Sequence, residues 1–305
     1  MSFTSDVKEE LCALPIKPLS VKAEFAGFLK FKGTLEIGKR SHFELIVKNT
    51  CVARRVKKIL NLMHQGDVDI FYHQEKRLNV GRLFLLRIAV DDIKEFLNDI
   101  GLNTLGEVNE QSVSDPTLFA AFMRGVFLSS GSVTNPVQHH HLEIYHRKVE
   151  TLNWILKRLQ SFFGIIGHIV DVRYGYRFYI KNGDTIEEFL NLIGAMRAAN
   201  LVHSVMMMNR IRSNVTRSVN FIEANSKRSG TASLKQIDAI MEIDRRIGLE
   251  NLPPELYKAA KLRLENPAIS LRELGSMLSP PVSKSVVHRR LGKILQKVQS
   301  KEDQK

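Results

Sequence analysis

Cysteine is almost absent: the 305 residues hold only Cys12 and Cys51. Two thiols cannot build a disulfide framework or a cysteine-rich zinc site. Long apolar runs are missing as well, and none approaches the roughly 18 residues of a membrane-spanning helix. The opening segment, Met1 to Leu11, lacks the basic and apolar stretches of a secretory signal. No Gly-rich phosphate loop of the Walker type occurs. No Ser/His/Asp constellation can be assembled from the sequence alone. These absences predict a cytoplasmic protein of a reducing compartment, with no membrane partner, no metal and no cofactor. A hydrophobic fraction of 44% excludes a disordered chain. The length suffices for two or three domains.

What is abundant is positive charge. Forty-five Lys and Arg face 32 Asp and Glu, a net charge of +13. Sustained positive charge favours a polyanionic partner, nucleic acid or anionic lipid. The excess is uneven. Residues 196–230 carry six basic side chains and one acid, and residues 231–305 carry 14 and nine. Only +3 is left for residues 1–195. Lys284, Arg289, Arg290, Lys293, Lys297 and Lys301 form a run with no acid between them.

The first two-thirds contain an internal repeat. Ile93-Lys-Glu-Phe-Leu-Asn-Asp-Ile-Gly101 matches Ile186-Glu-Glu-Phe-Leu-Asn-Leu-Ile-Gly194. Upstream, Arg82–Ile88 parallels Arg177–Lys181, and His42–Val47 parallels His141–Tyr145. Helical segments follow the last pair at Val52–Met63 and Val149–Phe163. The apolar spacing of Val56, Ile59, Leu60 and Met63 supports the first. Short runs such as Asp67–Tyr72 and His168–Arg173 read as strands. Each unit opens with a helix ending in glycine, Phe25–Gly33 and Met123–Gly131. The order per unit is helix, two strands, helix, two strands, helix, which implies a pseudo-twofold αββαββα domain. Gly27 and Gly125 would let the opening helices approach closely.

The opening helices resemble degenerate LAGLIDADG motifs of homing endonucleases. The resemblance implies a central seam of two helices with a β-saddle on each side. In that family the last acidic letter of each motif holds a divalent metal. That position falls here on Lys32 and Ser130, and neither supplies the carboxylate that metal-assisted phosphodiester cleavage needs. Glu24 and Glu36 lie near the first helix, with nothing comparable beside Ser130.

Residues 206–230 are rich in Asn, Ser and Arg and read as a basic linker. A helical stretch follows. Ser233–Gln236 is a capping box opening a helix with Ile237, Ile240, Met241, Ile243 and Ile247 inward, and Gly248 ends it. Pro253-Pro254-Glu255 opens a second helix, and Asn266-Pro267 ends that one. Ser270–Glu273 is another capping box, starting a short helix with Leu271, Leu274 and Met277 or Leu278. Ser279-Pro280-Pro281 breaks it. Ser283 caps a last helix through about Gln299, with Val287, Leu291, Ile294 and Val298 inward. A short helix, a turn and a longer basic helix are the parts of a helix-turn-helix. Ser283, Lys284, Ser285, His288 and Arg289 then meet base edges or the phosphate at the helix start. Arg290, Lys293 and Lys297 are better placed for phosphates.

A degenerate LAGLIDADG domain, the segment Asn209-Arg210 to Asn225 and a helix-turn-helix with Ser283-Lys-Ser285 together resemble the WhiA family, as does Ser2–Leu11. The expected fold class is α+β, a tandem LAGLIDADG-like domain followed by an all-α helix-turn-helix domain. The boundaries are 1–200 (repeats about 20–102 and 118–195), 201–230 for the linker, and 231–305 with the motif at about 270–299. The resemblance implies a non-enzymatic, sequence-specific regulator of transcription that binds double-stranded DNA. It is associated with cell division, chromosome segregation or sporulation, localised at the nucleoid, and contacts RNA polymerase or a partner regulator. The alternative is an active endonuclease with displaced metal ligands. A third reading makes the repeat domain a protein-interaction scaffold, whose saddle would not be basic.

Other features have plainer readings. His139 and His141 fall on one face of a strand, more in keeping with a solvent-facing edge than a metal site. Met206, Met207 and Met208 read as core filler or a helix end. Trp154 and Phe162 read as core. Tyr72, Tyr174, Tyr176 and Tyr179 lie on saddle strands and face DNA or solvent.

Overall fold

The computed structural model describes residues 2–38, 41–63, 68–73 and 83–299. Two compact units are present, Met1–Asn209 and Arg210–Lys305. Lys301, Arg82 and Asp67, and the side chains of Val298 and Tyr72, lie outside what is described.

The first unit contains both repeats in the predicted order. The first is α2 (Val21–Lys32), β1 (Gly33–Glu36), β2 (His42–Val47), α3 (Thr50–Leu62), β3 (Val68–His73), β4 (Leu83–Ala89) and α4 (Ile93–Asp99). The second is α5 (Pro116–Ser130), β5 (Gly131–Val133), β6 (Leu142–His146), α6 (Val149–Phe163), β7 (His168–Val172), β8 (Gly175–Ile180) and α7 (Gly183–Ile193). Each repeat forms an antiparallel four-stranded sheet, ordered β1-β2-β4-β3 and β5-β6-β8-β7. Alternation sends Phe43, Leu45, Val47, Leu86 and Ile88 into the core from the first sheet. Leu142, Ile144, Phe178 and Ile180 do the same in the second. Val56, Ile59, Leu60 and Met63 are all buried, as their spacing predicts.

Helices α2 and α5 form the seam, and their glycines are sterically required there. A Cβ on Gly27 would lie under 3.0 Å from the Phe122 carbonyl oxygen, and one on Gly125 equally close to that of Glu24. Trp154 and Phe162 are half-buried and pack edge-on against Phe119. The Trp154 indole donates to Glu110 Oε1 at 2.9 Å.

An additional helix, α1 (Phe3–Ala13), precedes the repeats. The Ser2 hydroxyl caps it by accepting from Ser5 N. Val7 and Leu11 bury one stripe of it. Its Glu10 carboxylate accepts from the Arg197 and Ala198 amides, at 2.6 and 3.1 Å. Those amides open α8 (Met196–Ile247), so α1 supplies the N-terminal cap of that helix.

Helix α8 corrects the linker reading. The stretch 206–230 is helical throughout, and Ser233–Gln236 lies inside the helix rather than at its start. The segment has no proline to stop it, and Arg, Lys, Ala and Met favour a helix. Its hydroxyls bond back within the helix, Ser204 to Asn200 O and Thr231 to Lys227 O. Ser233 Oγ instead donates to Pro267 O. The inward positions also differ. Ala239, Ile240 and Ile243 are buried, whereas Met241 and Ile247 are exposed. Met206 is buried against Gly183, whereas Met207 and Met208 are exposed.

The second unit continues with α9 (Pro254–Glu265), α10 (Leu271–Met277) and α11 (Lys284–Gln299). Gly248, at φ +78°, ends α8 in the left-handed region. Pro254 opens α9, and the Ser270–Glu273 capping box opens α10 with both reciprocal bonds. Ile240, Ile243, Leu256, Leu274, Leu278, Val287, Leu291 and Ile294 form one core. Met277 is exposed, which leaves Leu278 as the inward residue.

Candidate nucleic-acid interface

The helix-turn-helix is assembled from close backbone contacts. Helix α10 and the loop before α11 meet at Gly275, whose absent side chain admits the Val282 carbonyl. The Val282 amide donates to Gly275 O at 2.9 Å, fixing the turn. Behind it, Arg263 is buried on α9 and donates to the carbonyls of Asn266, Pro267 and Ile269. It gathers the α9–α10 corner around one guanidinium. Burial lowers its pKa from the usual range. Sequence reasoning missed Arg263, and no spacing marks it, because its role depends on the turn closing around it.

Helix α11 buries Val287, Leu291 and Ile294 and turns its other side outward. Ser283, Lys284, Ser285, His288, Arg289, Lys293 and Lys297 are all exposed. Arg290 is the exception: it is half-buried and lies 3.7 Å from Glu255 on α9. Its charge is shared with a carboxylate. Ser283 precedes the helix, and its carbonyl accepts from Val286 and Val287. The exposed face thus presents Lys284, Ser285, His288 and Arg289 near the helix start, with Lys293 and Lys297 farther along.

In the first unit, Lys32 and Ser130 occupy equivalent places, the last residues of α2 and α5. Lys32 is exposed, and the Ser130 hydroxyl turns back toward Val126 O. Glu24 lies near the other end of α2 and is fully engaged. Its carboxylate accepts from Arg55 Nε at 2.5 Å, Arg55 Nη2 at 2.9 Å and Arg124 Nη1 at 3.2 Å. Among the described residues, no group of three His, Cys, Asp or Glu is placed to hold a metal ion. His141 faces Glu143 at 3.3 Å, and His139 is exposed.

The outer faces of the sheets show a repeated charge pattern. Glu44 accepts from Arg87 at 2.7 Å and lies 3.4 Å from His42. The Arg87 bond, foremost, holds the Glu44 carboxyl below its usual range. Glu143 pairs with Arg177 at 3.1 Å and with His141. The first outer face carries Glu36, Glu44 and Asp69 against Arg87 among the described residues. Ile46 and Phe71 are exposed beside them. Tyr174 is exposed, and Tyr176 and Tyr179 are half-buried.

Among the described residues, no helix is long and apolar enough to cross a membrane.

Three family models match the chain. They are the WhiA N-terminal LAGLIDADG-like domain over residues 19–103, the WhiA LAGLIDADG-like domain over 119–212, and the WhiA C-terminal HTH domain over 215–298. A probable cell division protein WhiA of Lactiplantibacillus plantarum is 34% identical over 304 residues, covering 97% of each chain. One of Staphylococcus epidermidis is 32% identical over 301 residues, covering 96% of this chain and 95% of its own. The crystal structure of full-length DUF199/WhiA from Thermatoga maritima aligns with a TM-score of 0.63 at 31% identity, covering 98% of this chain and 99% of that one. With an internally repeated LAGLIDADG-like unit, a helix-turn-helix and relatives matched over nearly their whole length, the chain belongs to the WhiA family.

Proposed function

We propose that the protein is a sequence-specific DNA-binding regulator of transcription, acting in cell division and without nuclease activity. The observation that carries this is the outward face of α11. Lys284, Ser285, His288, Arg289, Lys293 and Lys297 are exposed on a helix that contains no acid. The N-terminal residues of a recognition helix meet base edges in the major groove, while later cations meet phosphates. The curated relatives named for cell division supply the biological setting. Chromosome segregation or sporulation are further settings that the family implies. The absence of nuclease activity is supported by Lys32 and Ser130 at the ends of the seam, and by the engagement of Glu24 with two arginines.

The described outer face of the first sheet is better suited to protein than to DNA. The carboxylates Glu36, Glu44 and Asp69 would repel phosphate, and exposed Ile46 and Phe71 suit an apolar partner surface. RNA polymerase or a second regulator fits that role.

Arg289→Ala or Lys284→Ala is expected to weaken binding to the cognate site by about 1–3 kcal/mol where the side chain makes a bidentate base contact. Lys297→Ala is expected to weaken binding to all sequences alike and to lower the salt slope by about one. Titrations of cognate and random duplexes over a range of salt check both. Identical behaviour of the two classes would refute this assignment of the recognition helix.

A further inference from the structure

Beside the end of the seam where α2 and α5 give way to their strands lies a cavity of about 350 Å³. Lys8, Lys32 and Lys48 line it, together with Ser2, Ser5 and Asn49. No ion pair found among the described residues involves any of the three lysines. Lys32 and Lys48 are exposed, but Lys8 is partly buried, in the middle of α1. Burial first, and then the charges of Lys32 and Lys48, push its pKa down to about 8. Burial disfavours the cation there although its ammonium lies 5.9 Å from the centre of the Phe127 ring, and an anion in the cavity would favour it. Cys12 and Cys51 lie near and offset part of the cost only as thiolates.

The helix geometry points the same way. The residues that open α1 and α3, Ser2 and Asn49, both border the cavity. Asn49 makes no side-chain bond to the first turn of α3; its amide turns to Ser5 Oγ at 3.5 Å instead. Helix N-termini favour anions through free amides and the macrodipole. The C-terminal dipoles of α2 and α5 account for a lysine at position 32. They do not account for Lys8 or Lys48, which end no helix. Arg147 adds a further positive charge near Lys32. An endonuclease would gather carboxylates at this end of the seam to hold cations; this chain gathers cations.

We propose that this cavity is an anion site that takes a phosphate group, carried by a small phosphorylated molecule or by the DNA backbone. The site is distinct from the α11 interface, and its test is independent of that reading.

The full-length protein and a Lys8→Met/Lys48→Ala variant are compared in two arms. Methionine keeps an unbranched chain in place of Lys8, and Lys48 is exposed, so the variant retains its packing. In the first arm, inorganic phosphate is titrated at constant ionic strength near pH 8 in buffers of different ionisation enthalpy. A small-molecule site predicts saturable binding with proton uptake by the wild type, and at least tenfold weaker binding with no uptake by the variant. In the second arm, a duplex of unrelated sequence is titrated over a range of salt. A backbone site predicts competition by phosphate and a salt slope lower by about one in the variant. Should the double variant unfold, Lys32→Ala/Lys48→Ala, with both side chains exposed, carries both arms with the same expected direction. Wild type and variant indistinguishable in both arms would overturn the proposal.

Discussion

Glu24→Ala is expected to destabilise the repeat unit by about 3–5 kcal/mol, because it leaves a buried guanidinium without its counter-charge. Glu24 is 2% exposed, and so is Arg55. The two form a bidentate pair, and Arg124 adds a third donor. Arg55 Nη1 also donates to the Cys12 and Leu14 carbonyls, so the pair ties α3 to the C-terminal end of α1 as well as to α2. Removing the carboxylate strands Arg55 in a medium where solvation cannot replace it. Glu24→Gln, which keeps one acceptor oxygen, is expected to lose less. Glu24→Met combined with Arg55→Met is expected to regain much of the loss, since well-packed apolar replacements of a buried pair are often neutral. Urea unfolding followed by tryptophan fluorescence reports on this unit alone, because Trp154 is the single tryptophan. A displaced metal ligand would behave differently: without metal, its removal would relieve repulsion and leave stability unchanged or higher.

Gly125→Ala is the second large effect, with an expected loss of about 3 kcal/mol or more. Overpacking a core costs about 1–3 kcal/mol even where side chains can yield. Here the added carbon meets the Glu24 carbonyl and the Phe28 amide, and backbone cannot rotate away. Gly27→Ala should act alike through the Phe122 carbonyl. Gly230→Ala is the control. That glycine lies in exposed α8 with nothing within 4 Å of a built Cβ. There alanine should gain about 0.5–1 kcal/mol through helix propensity. Thermal unfolding by circular dichroism measures all three. A gain at Gly230 supports a helix continuous through residues 206–230, whereas no gain would support an irregular linker.

The repeat was legible because it is written twice. The match between Ile93–Gly101 and Ile186–Gly194 located both units, and Gly27 and Gly125 marked the crossing that only glycine permits. The capping box at Ser270 and the stop at Gly248 were legible because each uses local chemistry. The capping pattern at Ser233 misled, since a hydroxyl that can cap a helix can also reach a distant carbonyl, here Pro267. Helix α1 was missed although Ser2, Val7 and Leu11 carry its signal; its importance to α8 through Glu10 is tertiary. Likewise, the exposed cations of α11 could be read from periodicity, but the turning of Arg290 toward Glu255 could not. Nor could the gathering of Lys8, Lys32 and Lys48, which come from three separate segments.

The measurement that tests the central claim most directly is a titration of the full-length protein against a selected cognate duplex and a scrambled one, with and without Mg²⁺, with the DNA recovered and sized. Tight binding of the cognate duplex, lost in an Arg289→Ala/Lys284→Ala variant and leaving the DNA intact in Mg²⁺, is the predicted result. Metal-dependent cleavage, or discrimination between duplexes that survives loss of both side chains, would contradict it.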